Sequence, residues 1–257
     1  MSMIPVHADV HGIKLVVQRR DLDEEEGQDP NFFDADYSVA ASTAWLVWEG
    51  SWAVVELLRQ PDDWLSLLIH GARVLELGSG TGMLGLAAAA SGGHVVLSDV
   101  ASMVEAVLRP NVLSNAQRKA SGLETPWASS CEVSCIGDGT AVAQPLDWWH
   151  PIESQLTPVD VTQADVIIAA ECAWLQELVS PFVKTVVSLL HGPNRPQCIL
   201  AFRERASESS TTFVTSSTLL REFEAHGCRS DYRTTLDAPE SRGLQTAVYV
   251  ISYEPAL

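Results

Sequence analysis

The sequence has few basic residues, no hydrophobic run long enough to cross a membrane, and no recognisable leader. Sixteen Lys and Arg stand against 33 Asp and Glu, which gives a formal net charge of −17. Such a surface repels phosphate backbones, so we do not expect nucleic-acid binding. The most apolar stretch, Met83–Ala90, is too short for a bilayer, and the first ten residues lack the basic and apolar regions of a signal peptide. We therefore expect no membrane association and a cytoplasmic location, with the nucleus as the alternative.

Cysteine is present but is not arranged for metal binding or for a disulfide framework. The five cysteines are an odd number, and no two of them form a Cys-x-x-Cys pair. A zinc site needs about four ligands at recognisable spacing, and the scattered histidines do not supply them. We therefore predict reduced, mostly buried thiols and no metal site.

From residue 73 onwards, short apolar runs alternate with segments of helical periodicity. The apolar runs predict strands at Val74–Leu77, His94–Leu97, Glu132–Ile136, Asp165–Ala170, Cys198–Phe202 and Gln245–Tyr253. Helical spacing predicts helices at Trp45–Leu58, Met83–Ala90, Ser102–Asn115 (bent or broken by Pro110), Leu178–Leu190 and Thr212–Ala225. Residues 137–163 have the composition of a loop. Strands that alternate with helices predict a doubly wound α/β fold with a mostly parallel sheet.

The first 40 residues differ from this pattern. Gly12–Gln18 alternates as a strand does, and Asp21–Glu26 is an acidic run that we interpret as the solvated turn of a hairpin. Neither an internal repeat nor a linker divides the remainder. We predict an N-terminal strand or hairpin extension over residues 1–40 and one α/β domain over residues 41–257.

The strongest motif is Val74–Gly82, VLELGSGTG, in which a buried strand leads through three alternating glycines into a helix. Glycine adopts unusual backbone angles and lets a ligand approach the main chain, and the start of the helix offers free N–H groups. Turns that bind dinucleotides have the spacing G-x-G-x-x-G. Here the third position of that pattern is Met83, so the spacing is G-x-G-x-G instead.

Two carboxylates accompany this turn. Glu76 stands two residues before the first glycine, where it would repel a pyrophosphate but attract the ammonium group of a methionine moiety. Asp99 ends the next strand and suits the two hydroxyls of a ribose, a feature that nicotinamide enzymes share. We therefore favour S-adenosylmethionine as the cofactor, with a nicotinamide-dependent oxidoreductase as a distant alternative.

With these residues, the chain resembles the seven-strand class I methyltransferases and, more narrowly, methyltransferase family 16, which includes the lysine methyltransferase of valosin-containing protein. The resemblance runs from about residue 11 to the C-terminus. Its motifs are the N-terminal strand, Val47–Ser51, the glycine turn, Asp99 with Asn111 and Asn115, and Leu146–Trp148. It implies a Rossmann-like, doubly wound, seven-stranded, mostly parallel sheet with an N-terminal β-hairpin extension. The implied cofactor-binding residues are Trp48, Glu76, Gly78, Ser79, Gly80, Gly82, Asp99, Trp148 and Ala170.

The segment Ala170–Trp174, AECAW, stands where this family has Asp-x-x-Tyr. Glu171 replaces the aspartate and Trp174 replaces the tyrosine, so the charge and the aromatic face remain while the phenol hydroxyl is lost. The resemblance implies that the chain is an enzyme that methylates a lysine side chain of a protein, with Glu171 and Trp174 as its catalytic residues. We expect Glu171 to position the amine and Trp174 to hold it by a cation–π contact.

The replaced pair leaves other functions open. One is methylation of a small amine or of another protein side chain, and a second is a non-catalytic module that only binds the cofactor. The acidic composition agrees with a basic protein substrate, although solubility alone accounts for many acidic surfaces. We expect the chain to be a monomer.

Overall fold

The computed structural model describes residues 2–21, 45–120, 126–127, 132–204, 210–237 and 245–254. Its strands are β1 Met3–Val10, β2 Ile13–Arg20, β3 Arg73–Leu77, β4 His94–Asp99, β5 Arg118–Ala120, β6 Val133–Ile136, β7 Gly139–Pro145, β8 Val166–Ala170, β9 Gln197–Arg203, β10 Cys228–Asp237 and β11 Gln245–Tyr253. Its helices are α1 Glu49–Leu58, α2 Trp64–Ile69, α3 Met83–Ala90, the three consecutive pieces Ala101–Met103, Val104–Leu108 and Arg109–Ser114 that we call α4, α5 Gln176–Leu190 and α6 Ser216–Ala225. None of the helices in these ranges has both the length and the apolar character needed to span a membrane.

The main sheet has nine strands in the order β10-β11-β9-β8-β3-β4-β7-β6-β5. The five central strands, from β9 to β7, are parallel, and the strands beyond them on both sides pair antiparallel. Strands β10 to β7 form the predicted seven-stranded, mostly parallel sheet, which β6 and β5 extend. The strand order reverses direction between β3 and β8, and α/β proteins bind ligands beyond the carboxyl ends of strands at such a point.

Each central strand is buried on both faces, as parallel strands covered by helices are. Val74 and Val95 face a core that contains α1, α3 and the buried residues of the β1–β2 hairpin. Leu75 and Val96 face a second core against α5 and α6. Apolar and polar residues therefore do not alternate in these strands, and each strand was predictable as a continuous apolar run.

The N-terminal hairpin is confirmed, but its turn lies elsewhere than predicted. β1 and β2 pair from Met3 with Arg20 to Val10 with Ile13, so the turn consists of His11 and Gly12, both with positive φ. The acidic run Asp21–Glu26 follows the second strand instead of joining the two, and all of it except Asp21 lies outside the described residues.

Asn111 of α4 and Asn115, which directly follows α4, hold the hairpin by binding the backbone of β2. Asn115 accepts the N–H of Val16 at 2.8 Å and donates to its carbonyl at 2.7 Å. Asn111 accepts the N–H of Gln18 at 2.9 Å and donates to its carbonyl at 3.2 Å. Asn111 also donates to the carbonyl of Thr81 at 2.9 Å, so one buried amide connects the hairpin to the glycine turn.

The predicted loop over residues 137–163 was wrong in part, because β7 occupies its beginning and is the third parallel strand on this side of the sheet. This strand has small residues in place of the usual bulky ones. A Cβ on Gly139 would overlap the carbonyl oxygen of Gly93, so the close packing itself requires glycine here. Gln144 is fully buried, and its amide satisfies both backbone groups of Val159. A glycine and a buried glutamine are not residues that predict a strand in a sequence.

Other elements were also misassigned or missed. The predicted third strand is present as β6, but it pairs antiparallel at the edge of the sheet and not parallel in its centre. Strands β1, β5 and β10 and the short helix α2 were not predicted. α4 continues through Pro110 because a π-helical turn precedes it, so the predicted bend is a local change of helix type. α6 begins at Ser216 and not at Thr212, because the side chain of Thr215 caps it by accepting the N–H of Thr218.

Candidate functional site

A cavity of about 200 Å³ lies at the carboxyl edge of the parallel strands. Its walls come from the ends of β3, β4 and β8, from the start of α1 and from the segment that follows β7. The cavity therefore lies at the reversal of strand order where the fold leads us to look for a ligand.

The glycine turn forms one end of the cavity. Gly78, Gly80 and Gly82 have φ values of 65°, 52° and 85°, in the left-handed region that other residues avoid. Ser79 and Ser98 fasten the turn to β4, because each backbone N–H bonds to the other residue, at 2.9 and 3.0 Å. The turn thus has a fixed backbone path before any ligand is present.

Asp99 continues this wall from the end of β4. Its Oδ2 accepts the N–H of Gly80 at 2.8 Å and its Oδ1 accepts the N–H of Val100 at 2.8 Å. Burial raises the pKa of Asp99 above its ordinary value, although these two hydrogen bonds oppose the increase. A carboxylate at this place suits a pair of ligand hydroxyls, and it also shapes the turn.

Glu76 does not line the cavity but lies beneath the turn, against α3. Burial raises the pKa of Glu76 to about 8, and the charge of Asp99 adds to the increase. Its Oε2 is buried and has no hydrogen-bond partner within the described part of the chain. Gly85 leaves space for this carboxyl group, since a Cβ there would overlap Oε2. Glu76 does not form the cavity surface, so it can influence a ligand only through the turn or, once it has lost its proton, through its charge.

Trp148 forms the part of the cavity wall that packs against Gly78 of the glycine turn. A Cβ on Gly78 would lie 3.3 Å from the Trp148 ring and 2.6 Å from the Cβ of Cys172, so glycine allows the wall to approach this closely. The ring of Trp148 meets Phe182 edge to face with centroids 5.1 Å apart, which fixes its orientation.

Glu171 lies at the other end of the cavity, directly after β8. Its backbone has a φ of 52°, which is unusual for a residue with a side chain, and the residue is 3% exposed. Oε2 accepts the N–H of Gly50, at the start of α1, at 2.7 Å. The backbone N–H of Glu171 donates to the carbonyl of Ala201 in β9 at 2.9 Å. The acid is thus held at both ends in a conformation that it would not adopt by itself.

A row of three aromatic rings continues from Glu171 to the surface. The centroids of Trp48 and Trp174 are 6.2 Å apart, and Trp174 stacks on Phe213 with centroids 5.8 Å apart. The carbonyl of Trp174 accepts the N–H of Val214 at 2.9 Å, so the segment after residue 209 holds this ring in place. The row offers aromatic faces beside a carboxylate, an arrangement that suits a cation.

An ion pair joins α1 to the next strand. Arg203, at the end of β9, lies 2.8 Å from Glu49, and their side chains are 12% and 34% exposed. Such a half-buried pair fixes geometry more reliably than it adds stability. The start of α1 is therefore connected to the ends of both β8 and β9.

Most residues predicted for the site lie together. The nine that line the cavity are Trp48, Gly78, Ser79, Gly80, Asp99, Trp148, Ala170, Glu171 and Trp174, whereas Glu76 and Gly82 lie behind the surface. Gly82 caps α3 and packs against Leu108. Lining residues that were not predicted are Leu46, Ser51, Thr81, Val100, Leu146, Asp147, Trp149, Cys172 and Leu178. Several of these are direct neighbours of predicted residues in the sequence, and this adjacency could have identified them. Nothing in the sequence pointed to Leu46 or Leu178.

These residues fit S-adenosylmethionine better than a metal ion. The left-handed glycines leave room beside the turn, Oε2 of Glu76 lies buried beneath it without a hydrogen-bond partner among the described residues, and Asp99 faces the same space. No cluster of three His, Cys, Asp or Glu suited to a metal occurs among the residues that the structure describes. Four cysteines lie in these ranges, all as free thiols, and three of them are buried.

Curated relatives are protein-lysine methyltransferases. The chain is 25% identical over 175 residues to protein-lysine N-methyltransferase EFM6 of Saccharomyces cerevisiae, covering 60% of this chain and 63% of that one. It is 27% identical over 147 residues to calmodulin-lysine N-methyltransferase of Arabidopsis thaliana, covering 56% and 41%. The chain thus spans less than two thirds of the length of either relative.

The fold has a counterpart among solved structures, and the family follows from the sequence. A Pyrococcus horikoshii protein described only in general terms as a transferase superposes with a TM-score of 0.51 at 13% identity, covering 99% of this chain and 74% of that one. That likeness shows the fold alone. The family model described as lysine methyltransferase matches residues 29–219, which is 191 of the 257 residues. Since this match covers well over half of its length, the chain belongs to the lysine methyltransferase family.

Proposed function

We propose that this chain transfers a methyl group from S-adenosylmethionine to the amine of a lysine side chain in a protein. The observation that carries the proposal is one cavity that has the glycine turn and Asp99 in its lining together with Glu171 and the rings of Trp48 and Trp174. Family membership and the names of the curated relatives support the same reaction.

The turn and Trp148 would hold the cofactor. The carboxylate of Asp99 is the group for the ribose hydroxyls, and the Trp148 ring is the face on which the adenine would lie. Glu76, below the turn, would favour the ammonium end through its charge once it has lost its proton. When bound, S-adenosylmethionine supplies a methyl group on a positively charged sulfur. The amine attacks the methyl carbon directly, and the sulfur leaves.

Glu171 and Trp174 would align the amine. Direct displacement needs the nucleophile in line with the methyl group, so the enzyme contributes mainly orientation. A lysine must first lose its proton, which at neutral pH costs about 4–5 kcal/mol for a reference pKa near 10.4. A carboxylate favours the charged ammonium, so we assign Glu171 to capture and orient the amine and not to remove its proton. Trp174 would hold the alkyl chain and the cation against its ring.

Labelled cofactor and cell extract test the proposal. The purified chain should transfer label to protein, and hydrolysis of that protein should release methylated lysine. Glu171→Ala should bind S-adenosylhomocysteine as the natural chain does and lose most of the transfer. Label confined to small molecules would instead support a small amine as acceptor, and cofactor binding without transfer to any fraction would indicate a non-catalytic module.

A further inference from the structure

Gly50, the second residue of α1, is packed directly against Glu171. Gly50 is buried, and its N–H donates to Oε2 of Glu171 at 2.7 Å. A Cβ on Gly50 would overlap Cγ of Glu171 and would lie 2.8 Å from Cδ and 2.9 Å from Oε2. Contacts this short do not occur between real side chains, so a larger residue at position 50 would displace the carboxylate.

Glu171 needs such support because its backbone is strained. Its φ of 52° places it in the left-handed region, which costs free energy for any residue that carries a Cβ. A residue stays in this conformation only where its surroundings fix it. Here the bond from its own N–H to Ala201 fixes the backbone, and the N–H of Gly50 fixes the carboxylate.

The N-terminus of α1 is itself held in place. Glu49 pairs with Arg203 at 2.8 Å, and Arg203 ends β9, the strand next to β8. The first turn of α1 therefore cannot move away from Glu171 without breaking this ion pair. A helix of ten residues also presents a favourable dipole to a carboxylate at its start.

We propose that Gly50 is a positioning residue, whose N–H and missing side chain hold the Glu171 carboxylate in the orientation in which it receives the acceptor amine. Gly50 itself does not line the cavity and acts only through Glu171. This inference rests on the proposed function, because it assigns the same amine to Glu171.

A double-mutant cycle in the full chain tests this role with Gly50→Ala, Glu171→Ala and the variant that carries both. Gly50→Ala should lower kcat/KM for the acceptor at least tenfold while the Kd for S-adenosylhomocysteine stays within twofold. In the Glu171→Ala background the same substitution should leave the residual turnover unchanged. The melting temperature should show the same dependence: Gly50→Ala lowers it in the natural chain, but maintains or raises it once Glu171 is truncated, because alanine is the better helix former.

Glu56→Ala, on the part of α1 remote from the cavity, is the control and should leave kcat/KM unchanged. Equal effects of Gly50→Ala in both backgrounds would overturn the proposal, since the glycine would then serve the helix and not the acid. If Gly50→Ala alone does not fold, the double variant should fold, and its failure to do so would count against the proposal equally. Should no acceptor be methylated, the proposed function fails, whereas the melting temperatures still decide whether Gly50 positions Glu171.

Discussion

The two ends of the cavity are built in different ways. The glycine turn and Asp99 are within about 25 residues of each other in the chain, and backbone angles and main-chain hydrogen bonds fix their shape. The end that contains Glu171 joins α1, the end of β8 and the segment around Phe213, and its key contact links residues 121 positions apart. The first end therefore depends on local geometry, and the second on packing between distant segments. Because the two ends depend on different contacts, we expect substitutions to affect them independently.

The largest effect should come from filling the turn. Gly80→Val places a branched side chain at a φ of 52° on the cavity wall, so we expect cofactor binding to be abolished while far-UV circular dichroism stays largely unchanged. Isothermal titration with S-adenosylhomocysteine measures this. Gly71→Val is the matched control, because Gly71 also has a positive φ but open space around it. Equal loss of binding in both variants would mean that strain, and not the cavity, is responsible.

A smaller loss should follow from removing the carboxylate beside the turn. Asp99→Ala deletes the acceptor for the N–H groups of Gly80 and Val100 and the group proposed for the ribose, so cofactor affinity should fall about 5- to 150-fold, corresponding to ~1–3 kcal/mol. Asp99→Asn, which keeps an acceptor oxygen, should lose less in the same titration. A change in the KM for the acceptor at saturating cofactor would contradict the independence of the two ends.

At the acceptor end, Trp174→Ala should act on the substrate alone. Loss of a cation–π contact worth about 0.5–2 kcal/mol predicts a fall in kcat/KM for the acceptor of about 2- to 30-fold. Trp174→Phe keeps an aromatic face and should retain more activity. The Kd for S-adenosylhomocysteine should not change in either variant; weaker cofactor binding would show that Trp174 belongs to both ends.

A separate effect, on folding stability and not on binding, concerns Glu76 and depends on pH. Its pKa in the fold is about 8 against an ordinary 4.5, so the folded state holds a proton that the unfolded chain has released. Its contribution to stability is therefore complete below pH 4.5 and is lost as the pH rises to about 8. Urea unfolding without cofactor should show the natural chain losing stability relative to Glu76→Gln across this interval. Parallel profiles would mean that Glu76 keeps its ordinary pKa.

The shape of the glycine turn could be predicted from the sequence, because its determinants are consecutive. Three glycines after a buried strand need no tertiary information to be interpreted, and the structure gives all three left-handed angles. The sequence did not predict that Glu76 lies beneath the cavity surface, since strand direction alone does not show on which side of the turn a carboxyl group lies. The predicted parallel sheet is also confirmed. It was predictable because each of its strands is a continuous apolar run in the sequence.

The assignment of Glu171 and Trp174 to an acceptor site came only from family resemblance and stays a prediction. Glu171 and Trp174 were identified from a motif, but neither the contact of Glu171 with Gly50 nor the stacking on Phe213 has a local signal. β7 was missed because Gly139 and Gln144 are poor strand formers whose places are set by neighbouring backbone. Tertiary packing overrides local propensity at all of these positions.

Asn111 and Asn115, at the end of α4 and directly after it, affect which substitutions the N-terminal hairpin can accept. Asn111 and Asn115 grip only peptide groups of β2, which are chemically identical whatever amino acids occupy those positions. The outward-facing side chains there are thus free to diverge without loosening the attachment, provided that chain direction and alignment are kept. Because Asn111 also donates to the Thr81 carbonyl, the hairpin can steady the glycine turn whatever side chains positions 16 and 18 carry.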